Sequence, residues 1–230
     1  MIKLHLGCGD TYLEGYTNID FPVSEHSVMA PKADIFADIR TLDYKAGSVS
    51  EIRSHHVFEH FSRAETLKLL RQWYGWLEVG GELIIETPDF EGSILKFLYA
   101  DIRTQSQLSR HIFGSQEAKW AYHLDGWYSK KFVYILRRFG FEKISVKKYS
   151  NRLAQKMRGW RPLLNFIGDL VPQFIYRRHG GHKMPNIVVI ATKGSTDINF
   201  EAATKEILSL SLVGGENDNL LNVWMKEAGY

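Results

Sequence analysis

The residues of this chain that could do chemistry fall in four short stretches. Ile2-Lys3-Leu4-His5-Leu6 runs straight into Gly7-Cys8-Gly9-Asp10. Glycines at 7 and 9 let the backbone turn sharply and approach a ligand where a Cβ would clash. Asn18-Ile19-Asp20-Phe21 ends an apolar run in an acid, and a carboxylate there can accept from two neighbouring hydroxyls at once. A second acid, Asp38, closes Ala33 to Ile39. The fourth stretch is His55-His56-Val57-Phe58-Glu59-His60, joined by His123 much later in the chain. Histidine titrates in the range needed to take a proton from a nucleophile, so His55, His56 and His123 are candidate bases, with Glu59 a weaker one. His56 to His60 also spells H-x-x-E-H, an inverted zinc-protease pattern. That chemistry needs both histidines one turn apart on a helix. Here His56 ends a strand and the helix starts only at Ser62, so His60 reads as a loop residue and no metal is expected.

These stretches need elements to position them. Leu4 and Leu6 read as a first buried strand, and residues 16–21 as a second. The chain from Gly9 to Asp20 is too short for a full crossover helix, so at most one helical turn fits. Residues 33–39 and 49–57 read as the third and fourth strands. Ser62 with Glu65 forms a capping box before Leu67, Leu70, Trp73, Tyr74 and Leu77, the apolar face of a helix that Gly80-Gly81 is expected to stop. Residues 82–87 form the fifth strand and 90–100 a helix. The polar and aromatic segment 101–128 is expected to wall a site. A helix over 129–139, capped by Ser129 and stopped by Gly140, leads to a sixth strand at 141–149 and a seventh at 186–192. About 36 residues, 150–185, separate these last two strands. Two helical stretches, 200–212 and 219–228, follow in a tail, 195–230.

Composition sets the bounds. The chain has 230 residues, one cysteine and a formal net charge of +3. One cysteine excludes an internal disulfide and points to a reducing, cytoplasmic setting. No apolar run reaches the ~20 residues of a membrane span, and no signal peptide is visible. Between Ser129 and Lys193 about 15 Lys and Arg face only Glu142 and Asp169. Such a block points to an anionic partner, or to a basic face in water.

The order strand and glycine turn, strand and Asp, strand and Asp, strand, capped helix, Gly-Gly, strand resembles the class I S-adenosylmethionine-dependent methyltransferases. The resemblance rests on Leu-Gly-Cys-Gly-Asp at 6–10, Ala-Asp-Ile at 37–39, and Val-Phe-Glu-His-Phe at 57–61 leading to Leu-Glu-Val-Gly-Gly-Glu-Leu at 77–83. It is nearest to the bacterial small-molecule type often associated with polysaccharide biosynthesis. The resemblance implies an α/β, Rossmann-like, seven-stranded and mostly parallel sheet. Helices lie on both faces, the last strand is antiparallel, and a long insertion separates strands 6 and 7. It implies S-adenosyl-L-methionine as cofactor, with Gly7, Cys8 and Gly9 at its methionine end. Asp20 and Phe21 would lie at the ribose, and Asp38 and Ile39 at the adenine. His56 would face the methyl group, and His56 or His123 would serve as base. Two departures from the family stand out. His5 replaces an acid two residues before the first glycine, which leaves open how the cofactor ammonium is held. Thr11 replaces the usual third glycine, which implies a non-helical path after the turn.

The expected reaction is methyl transfer to an oxygen or nitrogen of a small molecule, such as a sugar or lipid-linked glycan. A dinucleotide enzyme would need a third glycine where Tyr12 stands, and a longer spacing to Asp20. The Asn/Asp-Pro-Pro-aromatic motif of nucleic-acid amino methyltransferases is missing after the fourth strand, which disfavours nucleic acid. The basic block keeps RNA as a minor reading. A non-catalytic cofactor-binding or scaffold protein is the alternative from another class. The expected domain spans 1–194, with 150–185 as a lid. Basic residues there flank an apolar middle, suited to an anionic acceptor, to peripheral contact with the inner face of a membrane, or to packing in a homodimer.

Overall fold

The computed structural model describes residues 1–26, 30–149, 184–214, 216 and 218–230. The lid expected at 150–185 falls, but for its last two residues, outside the described residues.

Seven strands form one mixed sheet: β1 (Ile2–Leu6), β2 (Thr17–Asp20), β3 (Ile35–Phe36), β4 (Val49–His55), β5 (Leu77–Pro88), β6 (Phe141–Tyr149) and β7 (Asn186–Lys193). Their spatial order is β3-β2-β1-β4-β5-β7-β6. β1 to β5 pair in parallel, and β7 runs antiparallel to both β5 and β6. The chain moves outward from β1 to β3 and then returns to β4 on the other side of β1. That reversal opens a crevice at the carboxyl ends of β1 and β4, where α/β sheets bind ligands. The glycine turn follows β1, and the His56–His60 stretch follows β4.

Parallel neighbours are normally joined through a helix. β1 and β2 are joined by residues 7–16 with no helix, as the spacing predicts. Asn18, fully buried, does the pinning instead. Its Oδ1 accepts from Leu13 N and its Nδ2 donates to the Leu13 and Tyr16 carbonyls. Its Oδ1 also accepts from the His5 ring at 3.0 Å. His5 is thus a core histidine within the sheet.

Helix α1 (Arg63–Trp76) begins at the expected cap: Ser62 Oγ accepts from Glu65 N at 3.1 Å. Its end differs from expectation. Leu77 turns extended and starts β5, so Gly80 and Gly81 lie inside a strand rather than after a helix. Between Val49 and Glu51 of β4 the pairing jumps from Leu77 to Glu82 on β5, so three surplus β5 residues bulge there. Gly80 (φ 85°) takes the left-handed turn this requires.

The remaining helices are α2 (Phe90–Phe97), α3 (Ile102–Phe113), α4 (Ser129–Arg138), α5 (Phe200–Ser209) and α6 (Asp218–Glu227). They pack around the sheet with α1. Tyr128, not Ser129, holds the cap position of α4. β3 is shorter than expected, two exposed residues at the sheet edge. One core runs through the molecule: Leu4, Leu6, Ile19 and Ile52 from the strands, Leu67, Leu70 and Trp73 from α1, and Phe132 and Leu136 from α4. Ile207, Leu208, Leu221 and Met225 of the tail belong to the same cluster. Arg63 over Trp224 and Arg71 over Tyr230 add cation–π contacts. Among the described residues no helix is long and apolar enough to cross a membrane.

Candidate functional site

The glycine turn is braced from two sides. Gly7 N and Cys8 N both donate to the Ile19 carbonyl, tying the turn to β2. Gly7 has φ 68°, and a Cβ there would stand 1.9 Å from Val57 Cγ2. Glycine at 7 is therefore required by backbone and packing together, and it seats the turn directly against the loop after β4. Gly9 (φ 54°) donates its N–H to Asp20 Oδ2 at 2.7 Å. Asp20 Oδ1 accepts from Phe21 N at 2.7 Å and from His26 Nε2 at 3.1 Å. A carboxylate offers about four lone-pair directions, so one remains for a ligand hydroxyl. Cys8 is nearly buried, and burial together with the Asp20 charge pushes its thiol up to about 12. It packs as a neutral thiol and is not a nucleophile.

The wall segment closes over this edge. Trp120 Nε1 donates to the Glu25 carbonyl, and the ring lies 5.0 Å from His26, 6.4 Å from Phe21 and 6.2 Å from His60. Leu124 N donates to the Glu59 carbonyl, joining the wall to the loop after β4. The two acids at the edge differ in use. The Asp38 carboxylate is paired with the Arg40 guanidinium at 2.5–2.9 Å and accepts from Arg40 N as well. Burial opposes its ionisation, but these bonds outweigh burial and hold it below the usual carboxylate range. Ile39 points into the core, 6 % exposed.

Four histidines and two carboxylates meet beyond β4 and β5. His56 has φ 53°, a left-handed backbone that costs a β-substituted residue about 1–3 kcal/mol and persists only where surroundings hold it. Its Nδ1 donates to Glu59 Oε1 at 3.2 Å, and its Nε2 lies 3.7 Å from Glu86 Oε1 and 3.1 Å from the Asn186 amide. Burial opposes protonation of this ring, yet the bonds to Glu59 and Glu86 prevail and raise its pKa to about 10. His56 is an imidazolium at neutral pH. The Asn186 amide nitrogen also donates to Glu86 Oε1 at 3.0 Å, tying β7 to the same carboxylate. Glu59 is buried, and the cationic His56 keeps it ionised against the cost of that burial. His123 is neutral because burial lowers its pKa, and its Nε2 lies 3.9 Å from Glu59 Oε1. His60 Nδ1 donates to the Tyr122 carbonyl at 3.0 Å, and His111 Nε2 to that of Pro185 at 2.9 Å.

Gly7, Cys8, Gly9, Asp20 and Phe21 thus share one end of the crevice, and His56 and His123 share the other, with Val57 between. Asp38 and Ile39 lie at the same sheet edge, one already ion-paired and one in the core. Sequence reading passed over Glu86, Asn186, His111, His26 and Trp120. Glu86 near the end of β5 could have been found from strand position alone. Asn186 and His111 come from distant segments, and nothing local in the chain marks them.

No family model matches the chain, and no curated protein does. Solved structures do. A SAM-dependent methyltransferase from Archaeoglobus fulgidus is 15 % identical with a TM-score of 0.50, the match covering 84 % of this chain and 86 % of that one. A SAM-dependent methyltransferase from Methanosarcina mazei is 13 % identical, TM-score 0.46, over 83 % and 91 % of the two chains. Phosphoethanolamine N-methyltransferase 2 of Haemonchus contortus, in complex with S-adenosyl-L-methionine, is 15 % identical, TM-score 0.45, over 85 % of this chain and 50 % of its own. At such identities the likeness to the Archaeoglobus fulgidus structure is one of architecture: this chain has the fold of the S-adenosylmethionine-dependent methyltransferases.

Proposed function

We propose that this protein transfers a methyl group from S-adenosylmethionine to an oxygen or nitrogen of a small-molecule acceptor. One observation carries the reading. The crevice at the β1/β4 reversal joins a glycine turn and a ribose-competent Asp20 at one end to a histidine cluster at the other. The residues fit the cofactor: Asp20 keeps a free lone pair, and Gly7 and Gly9 bring backbone close. Gly7, Cys8 and Gly9 would border its methionine end, Asp20 and Phe21 its ribose. Asp38 would reach the adenine amino group only by sharing its carboxylate with Arg40, and Ile39 would support the base from the core side. The bound cofactor supplies an electrophilic methyl on a sulfonium.

The chain's own part is alignment and proton management. The Val57 contact fixes the distance between the turn and the histidines. Both ring nitrogens of His56 are engaged, so its charge serves to orient Glu59, not to accept a proton. His123, on the wall, is the ring placed to take the proton of the attacking group. The basic block from Ser129 onward supports an anionic or lipid-linked acceptor, such as a glycan precursor, and a site at the inner face of a membrane. Titration calorimetry with S-adenosylmethionine, followed by methyl-transfer assays on sugar-phosphate and nucleotide-sugar acceptors, tests the reading. One-to-one cofactor binding and acceptor-dependent release of S-adenosylhomocysteine are expected. Cofactor binding without turnover on any acceptor favours a binding protein.

A further inference from the structure

We propose that Glu59, His60 and His123 form a site for a first-row divalent cation of the Zn²⁺, Co²⁺ or Fe²⁺ type, open toward the crevice. One donor atom from each of the three lies within 4.8 Å of the other two. Two imidazoles and one carboxylate suit these ions, and three protein ligands leave positions for water or substrate. Ligands bound at about 2.1 Å stand roughly 3.0–3.5 Å apart, so side-chain closure of about 1 Å completes the set.

The surroundings are those of a ligand set. Glu59 Oε2 is buried with no hydrogen-bond partner, an arrangement that is costly for a charged group unless something binds it. Glu59 Oε1 accepts from His56 Nδ1 and lies 3.9 Å from His123 Nε2, so the carboxylate is oriented beside the second histidine with Oε2 still unpartnered. His60 Nδ1 donates to the Tyr122 carbonyl, which fixes the ring's orientation and leaves Nε2 as its ligand atom. The rings of His60 and His123 meet edge to face, 4.7 Å between centroids. The Leu124 N–H on the Glu59 carbonyl keeps His123 opposite its partners. His56 and His60 are not the chelating pair of an H-x-x-E-H helix, because residues 58–60 form a single 3-10 turn. The second histidine comes from the wall instead.

The ion's role at this place rests on the methyl-transfer reading, whereas its binding does not. With the ion present, His123 is a ligand rather than a free base. Held by Glu59, His60 and His123, the ion would supply Lewis acidity: an acceptor hydroxyl beside it would give up its proton to water more readily, and its oxygen would then take the methyl as the carbon–sulfur bond breaks. This favours an oxygen acceptor.

The full-length protein, stripped with chelator, is titrated with Co²⁺ and followed by its visible absorption, with Zn²⁺ displacement by calorimetry. One equivalent is expected to bind. Glu59→Gln, His60→Ala and His123→Ala should each weaken binding at least tenfold, while Glu206→Gln, which touches only the remote Arg138 and Tyr134, keeps wild-type affinity. His60 is partly exposed, so its variant reads the site even where a Glu59 variant fails to fold. Mg²⁺ should not compete at equal concentration, since it prefers oxygen ligands. No Co²⁺ spectrum, or equal binding by the three variants, overturns the site. Full methyl transfer in chelator alongside Co²⁺ binding overturns the activating role. Cofactor binding, measured separately, reports on the methyl-transfer reading itself.

Discussion

Replacing Asp20 by alanine separates what this residue does for the fold from what it does for the cofactor. In the structure its carboxylate braces the crevice through Gly9 N and Phe21 N, both at 2.7 Å. Alanine leaves two backbone donors without that acceptor. Gly9 is half-buried, so water reaches part of the loss, and the fold should weaken by about 1–3 kcal/mol in urea unfolding. The remaining lone pair is the one offered to a ribose hydroxyl. Its removal should cost cofactor binding a further 1–3 kcal/mol or so, about 5- to 150-fold in Kd by titration calorimetry. Asp20→Asn keeps one oxygen and should fall between, with most of the stability and only part of the affinity. Wild-type cofactor affinity in a folded Asp20→Ala protein would refute the assignment of Asp20 to the ribose. The asparagine variant decides the matter if the alanine variant does not fold.

Other expectations concern the same crevice. Gly7→Ala adds a left-handed alanine, about 1–2 kcal/mol, to a clash with Val57 Cγ2. Pairing it with Val57→Ala should make the double variant more stable than the sum of the two singles, as read by a double-mutant cycle in urea; strict additivity would contradict the contact. Cys8, buried with its thiol raised to about 12, should resist iodoacetamide at pH 8 in the native protein and react once unfolded. His56, raised to about 10, should stay charged in ring NMR spectra across neutral pH. Its pKa is higher folded than unfolded, so its stabilising pair with Glu59 is present in full below about pH 6.5 and lost as pH rises toward 10. His56→Gln should flatten that fall in stability.

Much of this architecture was legible in the chain because local patterns agreed with the fold. The alternation at Leu4 and Leu6, the Ser62 cap and the apolar face of α1 each signal their element within a few residues. The crossover from Gly9 to Asp20 lacks a helix because ten residues cannot hold one, and spacing alone said so. Gly80-Gly81 misled because a glycine pair serves a bulge as well as a helix end. What chose between them was the register of β4 against β5, which no local window contains. The ends of the crevice divide in the same way. Asp20 was visible as an acid closing a strand. The state of His56 was not, because Glu86 and Asn186 reach it from β5 and β7, and the partnership of His60 with His123 depends on a wall segment without periodicity.

The most direct test of the central claim is a crystal structure of the protein with S-adenosylhomocysteine. Density is expected at the carboxyl ends of β1, β2 and β4, with a ribose hydroxyl on Asp20, the homocysteine along Gly7 to Gly9, and the sulfur toward the His56–His60 loop. Density elsewhere on the molecule, or a ribose out of hydrogen-bond reach of Asp20, would contradict it.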